Sequence, residues 1–464
     1  MNRLNLIFKV IVVGFLTLLL LIPLSMINGT IADRQSYRHQ AVESVAKSYA
    51  GPQTLLAPVI IVPYRAEVIV NHTDEHGVVR TTTEIQNRQW SYFPKDVQLH
   101  GNLVPAIKKR GLHEVRVYEM AATMSGSFDL KVPSGDNSGT LLNVGHPFVS
   151  FGISDVRGLV GTPRLTLDQQ SVLLLQGSGQ PRGNGLHALV GPVLAGESSH
   201  HVFRMEFTLG GTEQFAFVPL GDSNHVELKS AWPHPNFDGQ FSPRGPQISD
   251  KGFVATWDIS ALASGAQAQY LGGADIATAA IPAADANSGV LATADPNTLD
   301  SLSVTMIEPV NIYSQADRAS KYGFLFVVLT FVGFFMFELI KRLAIHPIQY
   351  LLVGLALAIF FLLLLSLSEH IPFLAAYLVA SVACIGLLGV YLSSVLKSRA
   401  RGVGFAAMLT LLYAALYGLL VSEDNALVLG SLLLFAILAA IMLITRKIDW
   451  YALGQATPPP VRAE

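Results

Sequence analysis

The first candidates for chemistry are ionisable residues inside apolar segments, because burying a charge in lipid is costly and such residues often have a function. Glu338 is the one acidic residue within these segments, and Lys341 and Arg342 follow it by three and four positions. This spacing places them on one helical face, so we expect Glu338 to pair with them at the membrane surface. A proton relay would need charges near the middle of the membrane, and their absence from the sequence argues against a charge-coupled pump.

A second candidate is the pair Glu369 and His370, which directly follows another apolar segment. One interpretation is a metal or proton site that faces the exterior domain. The other is a capped helix end, because Pro372 is suited to the start of the next helix. Both interpretations stay open at the level of sequence.

The adjacent residues His200 and His201 are the third candidate. Neighbouring residues in a strand point to opposite faces, so this pair is poorly placed to chelate a metal. The sequence lacks a Gly-x-Ser-x-Gly elbow, a Walker loop, a His-Glu-x-x-His motif and paired cysteines. We therefore predict no catalytic residue, no cofactor and no metal site.

Two turn-like strings could form a partner surface. Asp155, followed by Arg157 and Gly158, is typical of a salt-bridged turn. Trp232, followed by a proline and then His234, is typical of a rigid turn packed by its indole. The alternative for Asp155, Arg157, Trp232 and His234 is a surface that binds another protein.

Six apolar segments position these residues. Five fill the last third of the chain, and each is long enough to cross a hydrocarbon core of about 30 Å. The connections between them alternate between basic and acidic residues, which places the basic ones in the cytoplasm and the acidic ones outside. The five predicted helices span about 323–340, 348–366, 371–394, 403–421 and 426–445, within residues 321–447, and residues 448–464 form a cytoplasmic tail.

The sixth apolar segment, residues 10–27, follows a short cytoplasmic N-terminus, residues 1–9, that carries Arg3 and Lys9. It predicts an uncleaved transmembrane anchor, because it is long for the apolar region of a signal peptide. A cleavable signal peptide is the alternative. Both export the residues that follow, although Arg34 lies just outside the anchor and departs from the positive-inside pattern.

Residues 28–320 form the exported domain. Many short segments of alternating or β-branched residues, separated by Gly, Pro and Asp, indicate a β-rich fold. Pro58 and Pro63 predict that the segment from Leu55 to Tyr64 is an edge or irregular strand. Residues 261–299 are rich in Ala and Gly, which is typical of a surface insertion or linker.

Composition narrows the classes of partner. The 464 residues carry a net charge of −2 and a single cysteine, Cys384, so no disulfide can form within the chain. There is no basic domain with interleaved aromatic residues, which argues against nucleic acid as a partner. The sequence predicts an α+β membrane protein: an N-terminal transmembrane anchor, a β-rich periplasmic domain and a C-terminal five-helix transmembrane bundle. Membrane lipid is its expected partner.

Several strings resemble those of the CreD family of bacterial inner-membrane proteins, and they extend over nearly the whole chain. The strings are Gly51-Pro52-Gln53, Ser154-Asp155-Val156-Arg157-Gly158, Trp232-Pro233-His234-Pro235, Arg318-Ala319-Ser320-Lys321-Tyr322 and the run from His346 to His370.

The resemblance implies one anchor, a large periplasmic domain, a C-terminal helix bundle and a role in cell-envelope integrity and stress response. It supplies no enzymatic activity. The expected function is therefore non-enzymatic and acts through the periplasmic domain on lipid or on periplasmic and envelope proteins. The alternative is a transporter or permease-like component that moves a lipid-linked or amphipathic envelope molecule, and a receptor-like role is a third possibility.

Overall fold

The computed structural model divides into two compact units. The helical unit comprises Met1–Arg38 and Val310–Glu464, and the β unit comprises His39–Pro309. The residues that the structure describes are 3–73, 79–135, 139–181, 183–274, 276, 298–307, 312–341, 345–396, 398–422 and 426–446.

Most C-terminal helices begin and end close to the limits of the predicted apolar segments, but the first of them begins at Ile312, well before the predicted residue 323. Four C-terminal helices and the N-terminal helix Phe8–Ser48 are long and apolar enough to span a membrane, whereas the apolar part of the last helix, Val428–Leu443, is shorter. The helices are α1 (Arg3–Leu19), α2 (Leu21–Ser48), α3 (Ala266–Leu271), α4 (Ile312–Lys341), α5 (Pro347–Ser368), α6 (Phe373–Val395), α7 (Arg399–Val421) and α8 (Ala426–Thr445).

The N-terminal helix continues past the apolar segment, as the polar residues after Asp33 predict, and α2 ends at Ser48. A local break at Leu20 separates α1 from α2. Pro23 explains this break, because proline has no amide hydrogen to donate to the preceding turn.

Aromatic side chains fill the core of the helical unit. The ring of Phe326 lies 4.6 Å from that of Tyr413, which also lies 4.6 Å from Phe360. Edge-to-face contacts of this kind add to the apolar burial. The Tyr377 hydroxyl donates a hydrogen bond of 2.7 Å to the carbonyl oxygen of Tyr413, so its polar atom is satisfied inside the bundle.

A capping box begins α5. The His346 side chain accepts a hydrogen bond from the Ile348 amide, and the Gln349 side chain accepts one from the His346 amide. Pro347 occupies the first helical position, where its missing amide hydrogen costs nothing. These local signals explain why the helix begins here.

Eighteen strands are described in the β unit. They are β1 (Gln53–Leu56), β2 (Val59–Thr73), β3 (Val79–Tyr92), β4 (Asp96–Arg110), β5 (His113–Lys131), β6 (Thr140–Val144), β7 (Phe148–Gly152), β8 (Leu159–Leu167), β9 (Gln170–Val172), β10 (Leu175–Gln176), β11 (Gly185–Leu189), β12 (Ser198–Thr212), β13 (Gln214–Val218), β14 (Ser223–Ser230), β15 (Pro235–Gly239), β16 (Gln247–Ser249), β17 (Gly252–Ser260) and β18 (Leu302–Met306).

The strands form three sheets. The largest has eight strands in the order β16-β17-β14-β4-β5-β12-β8-β9, and another has the order β10-β11-β7-β2-β3 with β6 beside β2. The third has four strands in the order β1-β13-β18-β15. Most pairs are antiparallel, but β4 pairs with β14 and β1 with β13 in parallel. The β-rich fold predicted from the sequence is confirmed.

The sequence predicts that the segment around Pro63 is an edge or an irregular strand. The edge position is wrong, because β2 lies inside its sheet between β3 and the strands β6 and β7, whereas the break between β1 and β2 makes the segment irregular. Pairing with β7 ends at Ile61, and pairing with β6 begins at Tyr64. Pro63 therefore lies in the gap between two partner strands, where its missing amide hydrogen breaks no ladder.

The expectation of a surface insertion also needs correction for its first part. Helix α3 lies within residues 261–299, and Ala266 and Ile276 are buried in the core of the β unit. The Gln269 side chain bonds the Asp300 amide and carboxylate, which holds this helix in place. Small alanine side chains allow this close approach. Residue 275 and residues 277–297 lie outside the described part of the chain.

Phe203 is at the centre of the β core. Its side chain is fully buried, and its ring lies 5.4 Å from Phe128 and 6.4 Å from Phe151. Phe128 and Phe203 belong to the eight-stranded sheet, whereas Phe151 belongs to the six-stranded sheet. Phe203 thus helps to hold two sheets together.

We expect Phe203→Ala to lower the free energy of unfolding by about 3–5 kcal/mol, because it removes buried area and leaves a cavity. Denaturant unfolding of the detergent-solubilised protein, followed by tryptophan fluorescence, measures this change. Leu262→Ala is the control, since Leu262 is fully exposed and its loss should change stability by no more than about 0.5 kcal/mol. Equal effects of the two substitutions would contradict this account of the core.

Candidate functional site

Asp155 and Arg157 form the salt-bridged turn that their spacing predicts. Asp155 caps a short 3-10 helix, Val156–Gly158, and its carboxylate accepts two hydrogen bonds from the Arg157 guanidinium, of 2.9 and 2.6 Å. The carboxylate also accepts from the Gly51 amide, and Arg157 donates to the Lys47 carbonyl oxygen at 2.8 Å. The pair therefore fixes the chain where α2 leads into β1.

The hydrogen bonds from Arg157 are the largest cause that lowers the pKa of the Asp155 carboxyl below its ordinary value. The backbone amides of Gly51 and Arg157 lower this pKa further, and partial burial opposes them. The carboxylate is thus held in its charged form. Its role in this geometry is to anchor backbone rather than to exchange protons.

The Trp232 indole also binds backbone. Its Nε1 donates to the carbonyl oxygens of His234 and Ile307, both at 3.0 Å. The ring packs against the β core, as the rigid-turn interpretation predicts. His234 is exposed beside it. The pair therefore offers an exposed imidazole on a fixed turn, which suits contact with a partner better than catalysis.

Glu369 and His370 follow α5, as the capped-end interpretation predicts. The Glu369 carboxylate pairs with Arg34 of α2, with Oε1 lying 3.3 Å from Nε, and its side chain is only 9% exposed. The His370 Nδ1 lies 3.2 Å from the carbonyl oxygen of Ser366. The partner of Glu369 is thus the arginine that departs from the positive-inside pattern.

Glu338 has a different described partner from the one that the sequence suggested. Its carboxylate binds the ammonium of Lys9 and accepts a hydrogen bond of 2.8 Å from the Tyr350 hydroxyl. The Ile345 backbone completes the group, since its carbonyl accepts from Lys9 and its amide donates to Glu338. The side chains of Lys341 and Arg342 lie outside the described residues.

This buried ionic cluster, defined as Lys9, Glu338 and Tyr350 with the Ile345 backbone, joins α1 to α4 and α5. The Lys9 and Glu338 side chains are 15% and 5% exposed. A charge this deeply buried is tolerated only when it is paired and hydrogen-bonded, and both conditions are met. Sequence reasoning missed this pairing, although the signal was present: a lone acid in one apolar segment and a lysine at the start of another.

A cleft of about 520 Å³ lies in the β unit. Its side chains are uncharged, which favours a neutral occupant over an ion. Gln180 connects its walls, because its amide group bonds Gln89 and the Tyr270 hydroxyl. The lining residues are Leu56, Ala57, Val59, Gln89, Ser91, Ser150, Gly152, Ser178, Gln180, Pro181, Gly183, Asn184, Tyr270, Leu271, Gly273, Ala274 and Ile276.

The histidine pair points to two different neighbours. His200 lies 2.7 Å from an Asp129 oxygen and His201 lies 2.7 Å from an Asp168 oxygen, so the two imidazoles are held apart. Among the residues that the structure describes, no three His, Cys, Asp or Glu side chains come together to form a metal site.

Apolar helices long enough to span a membrane, with a β-rich unit between them in sequence, define an integral membrane protein of mixed α and β structure. The family model described as "Inner membrane protein CreD" matches residues 5–451. The Inner membrane protein CreD of Escherichia coli (strain K12) is 33% identical over 440 residues, covering 94% of this chain and 91% of that protein. The chain belongs to the CreD family of inner membrane proteins.

Solved structures show only a partial likeness. An M1 zinc metallopeptidase from Deinococcus radiodurans is 10% identical, covering 36% of this chain and 38% of its own, with a TM-score of 0.18. Yeast LTA4 hydrolase is 6% identical, covering 48% of this chain and 30% of its own, with a TM-score of 0.17. This chain thus spans well under half the length of either structure, and likeness at this level carries no argument about activity.

We expect Asp155→Asn to lower the free energy of unfolding at neutral pH by about 1–2 kcal/mol, because charge-assisted hydrogen bonds to the carboxylate are weakened. Since the folded pKa of Asp155 lies below its ordinary value, this stabilisation is present above about pH 4 and is lost as the pH falls through the folded pKa. Denaturant unfolding at a series of pH values checks both the size and the direction.

Asp250→Asn is the matched control for this substitution, since Asp250 is an exposed turn residue. It should change stability little at any pH. A difference between Asp155→Asn and the wild type that stayed constant down to the acid limit would contradict the assignment.

We expect Glu338→Leu to destabilise the helical unit by about 3–5 kcal/mol, because the Lys9 ammonium is left buried without its counter-charge. The double substitution Lys9→Met and Glu338→Leu should recover much of this loss, since no unpaired charge remains. Thermal unfolding in detergent measures both variants. If the double variant were as unstable as the single one, the ion pair would not be the source of the effect.

Proposed function

We propose that both termini of this inner membrane protein are cytoplasmic and that the β unit is periplasmic. The basic connections in the sequence support this orientation, because short cytoplasmic loops are enriched in Lys and Arg. Two contacts within the helical unit agree with it. Lys9 meets Glu338, both near predicted cytoplasmic ends, and Arg34 meets Glu369, both near predicted outer ends.

The function proposed is a non-enzymatic contribution to cell-envelope integrity and stress response, exerted through the β unit on envelope proteins or lipid. The observation that carries this proposal is that the β unit, His39–Pro309, holds more than half of the chain. A domain of this size, anchored beside the membrane, suits the binding of partners at the envelope.

The contacts of the candidate residues support a binding role rather than a catalytic one. Asp155 holds the backbone of Gly51 and Arg157, and Trp232 holds two carbonyl oxygens. Groups that are engaged in this way fix the shape of a surface. The exposed His234 and the uncharged cleft are the places where a partner would make contact.

Complementation tests where the function resides. A strain that lacks the gene is scored for sensitivity to detergent and β-lactams, and then receives either the full chain or residues 1–320. We expect the shorter chain, which keeps the β unit on its own N-terminal anchor, to restore resistance. Immunoblotting of membranes serves as the control that both chains are expressed equally.

Rescue by the full chain alone, at equal expression, would contradict the proposal. It would shift the function to helices α4–α8 and favour the transport of a lipid-linked or amphipathic molecule. Turnover of a cell-wall substrate by the purified protein, abolished by a single carboxylate or histidine substitution, would contradict its non-enzymatic nature.

A further inference from the structure

A two-stranded ribbon extends from one end of the two central strands of the large sheet. Strands β4 and β5 pair with each other from Asp96↔Ser127 to Arg110↔His113. In the described ladders, β14 accompanies β4 only as far as Leu103, and β12 accompanies β5 only from Val117. Residues 104–116 therefore extend past their neighbours as a ribbon, whose end we call the ribbon tip, residues 107–112.

The ribbon tip combines apolar and basic side chains, all in exposed positions. Ile107 is 53% exposed and Leu112 is 61% exposed. Three consecutive cations, Lys108, Lys109 and Arg110, lie between them. Exposed aliphatic side chains beside a run of cations are typical of segments that bind the interface of an anionic membrane, where the aliphatic groups leave water and the cations meet phosphates.

The base of the ribbon is held firmly. Ala41 and Val45, from the end of α2, form a small apolar cluster with Val115 and Val117. Such support matters because an isolated two-stranded ribbon is only marginally stable in water. The ribbon tip is thus presented by a supported element.

Side-chain contacts along the ribbon leave the charge of its tip positive. The Lys108 ammonium lies 3.8 Å from the centre of the Tyr49 ring, and Lys109 pairs with Glu114 at 3.0 Å. In the contacts described for Lys108, Lys109 and Arg110, the one acidic partner is Glu114, and the remaining charge is complementary to phosphate.

A short segment of the chain links the base of the ribbon to the N-terminal apolar segment. Ala41 packs at the base of the ribbon. It lies 14 residues after Ile27, which is the last residue of the N-terminal apolar segment. Even a fully extended chain of this length spans no more than about 50 Å. The chain therefore tethers the base of the ribbon within this distance of the end of the N-terminal apolar segment, which raises the effective concentration of lipid at the ribbon.

We propose that the ribbon tip is a lipid-binding site for an anionic phospholipid surface. Ile107 and Leu112 enter the headgroup region, and Lys108, Lys109 and Arg110 bind the lipid phosphates. This proposal rests on the function proposed above and deepens it, because it names the lipid class and the residues that bind it, and the vesicle experiment tests it separately from complementation.

Spin-label accessibility in the full chain tests the proposal. Cys384, the only cysteine, is replaced by alanine, and a nitroxide is placed at Leu112→Cys. The protein is reconstituted into phosphatidylcholine vesicles with or without phosphatidylglycerol. The ratio of collision rates with oxygen and with a water-soluble nickel chelate is then measured, because oxygen concentrates in lipid and the chelate does not. Labels at Leu173→Cys and Leu262→Cys are controls, since these leucines are 77% and 100% exposed.

With phosphatidylglycerol, we expect a several-fold higher ratio at position 112 than at either control. Replacement of Lys108, Lys109 and Arg110 by glutamine should weaken lipid binding. The ratio of lipid-bound to unbound ribbon tips should fall on the order of fivefold per charge. A label at position 112 that behaves like the controls would overturn the proposal. A label shielded from both reagents would also overturn it, in favour of a protein contact. Equal ratios in the two lipids would overturn the assignment of an anionic surface.

Discussion

The buried pairing of Lys9 with Glu338 is the contact on which the helical unit depends. It joins residues 329 positions apart in the sequence, and the Tyr350 hydroxyl and the Ile345 backbone complete it. The N-terminal apolar helix and the later apolar helices are separated in sequence by the whole β unit. Because neither charge is tolerated alone in the bundle, the first helix and the later helices must assemble together. A similar logic applies to Arg34 and Glu369.

In the β unit, the main constraint is that the backbone N–H and C=O groups of long strands must form hydrogen bonds. Its strands pair with neighbours within the three sheets, and Pro63 lies where no hydrogen bond is lost. Phe203 and its neighbours then fill the space between two of its sheets. The turn at Asp155 fixes the start of β1 to this body. His234 and the ribbon tip are exposed parts of this unit.

Most of the polar side chains of the candidate residues are engaged in contacts within the protein. Those singled out by their type, such as Asp155 and Trp232, hold backbone in place and leave little freedom for chemistry. The exposed features are of another kind: an imidazole on a rigid turn, an uncharged cleft, and a basic and apolar ribbon tip. Each suits binding to lipid or to another protein by this member of the CreD family.

The sequence was enough to predict the apolar helices, the β-rich class of the region between them, and the turns at Asp155 and Trp232. These features are local, because segment length, alternation and short spacing can be read within a few neighbouring residues. Four features could be seen only in the tertiary structure: the partner of Glu338, the internal position of β2, the burial of Ala266 and the projection of the ribbon. Each of these depends on residues far apart in the chain, whose proximity is fixed only when the two ends of the sequence and the three sheets have packed.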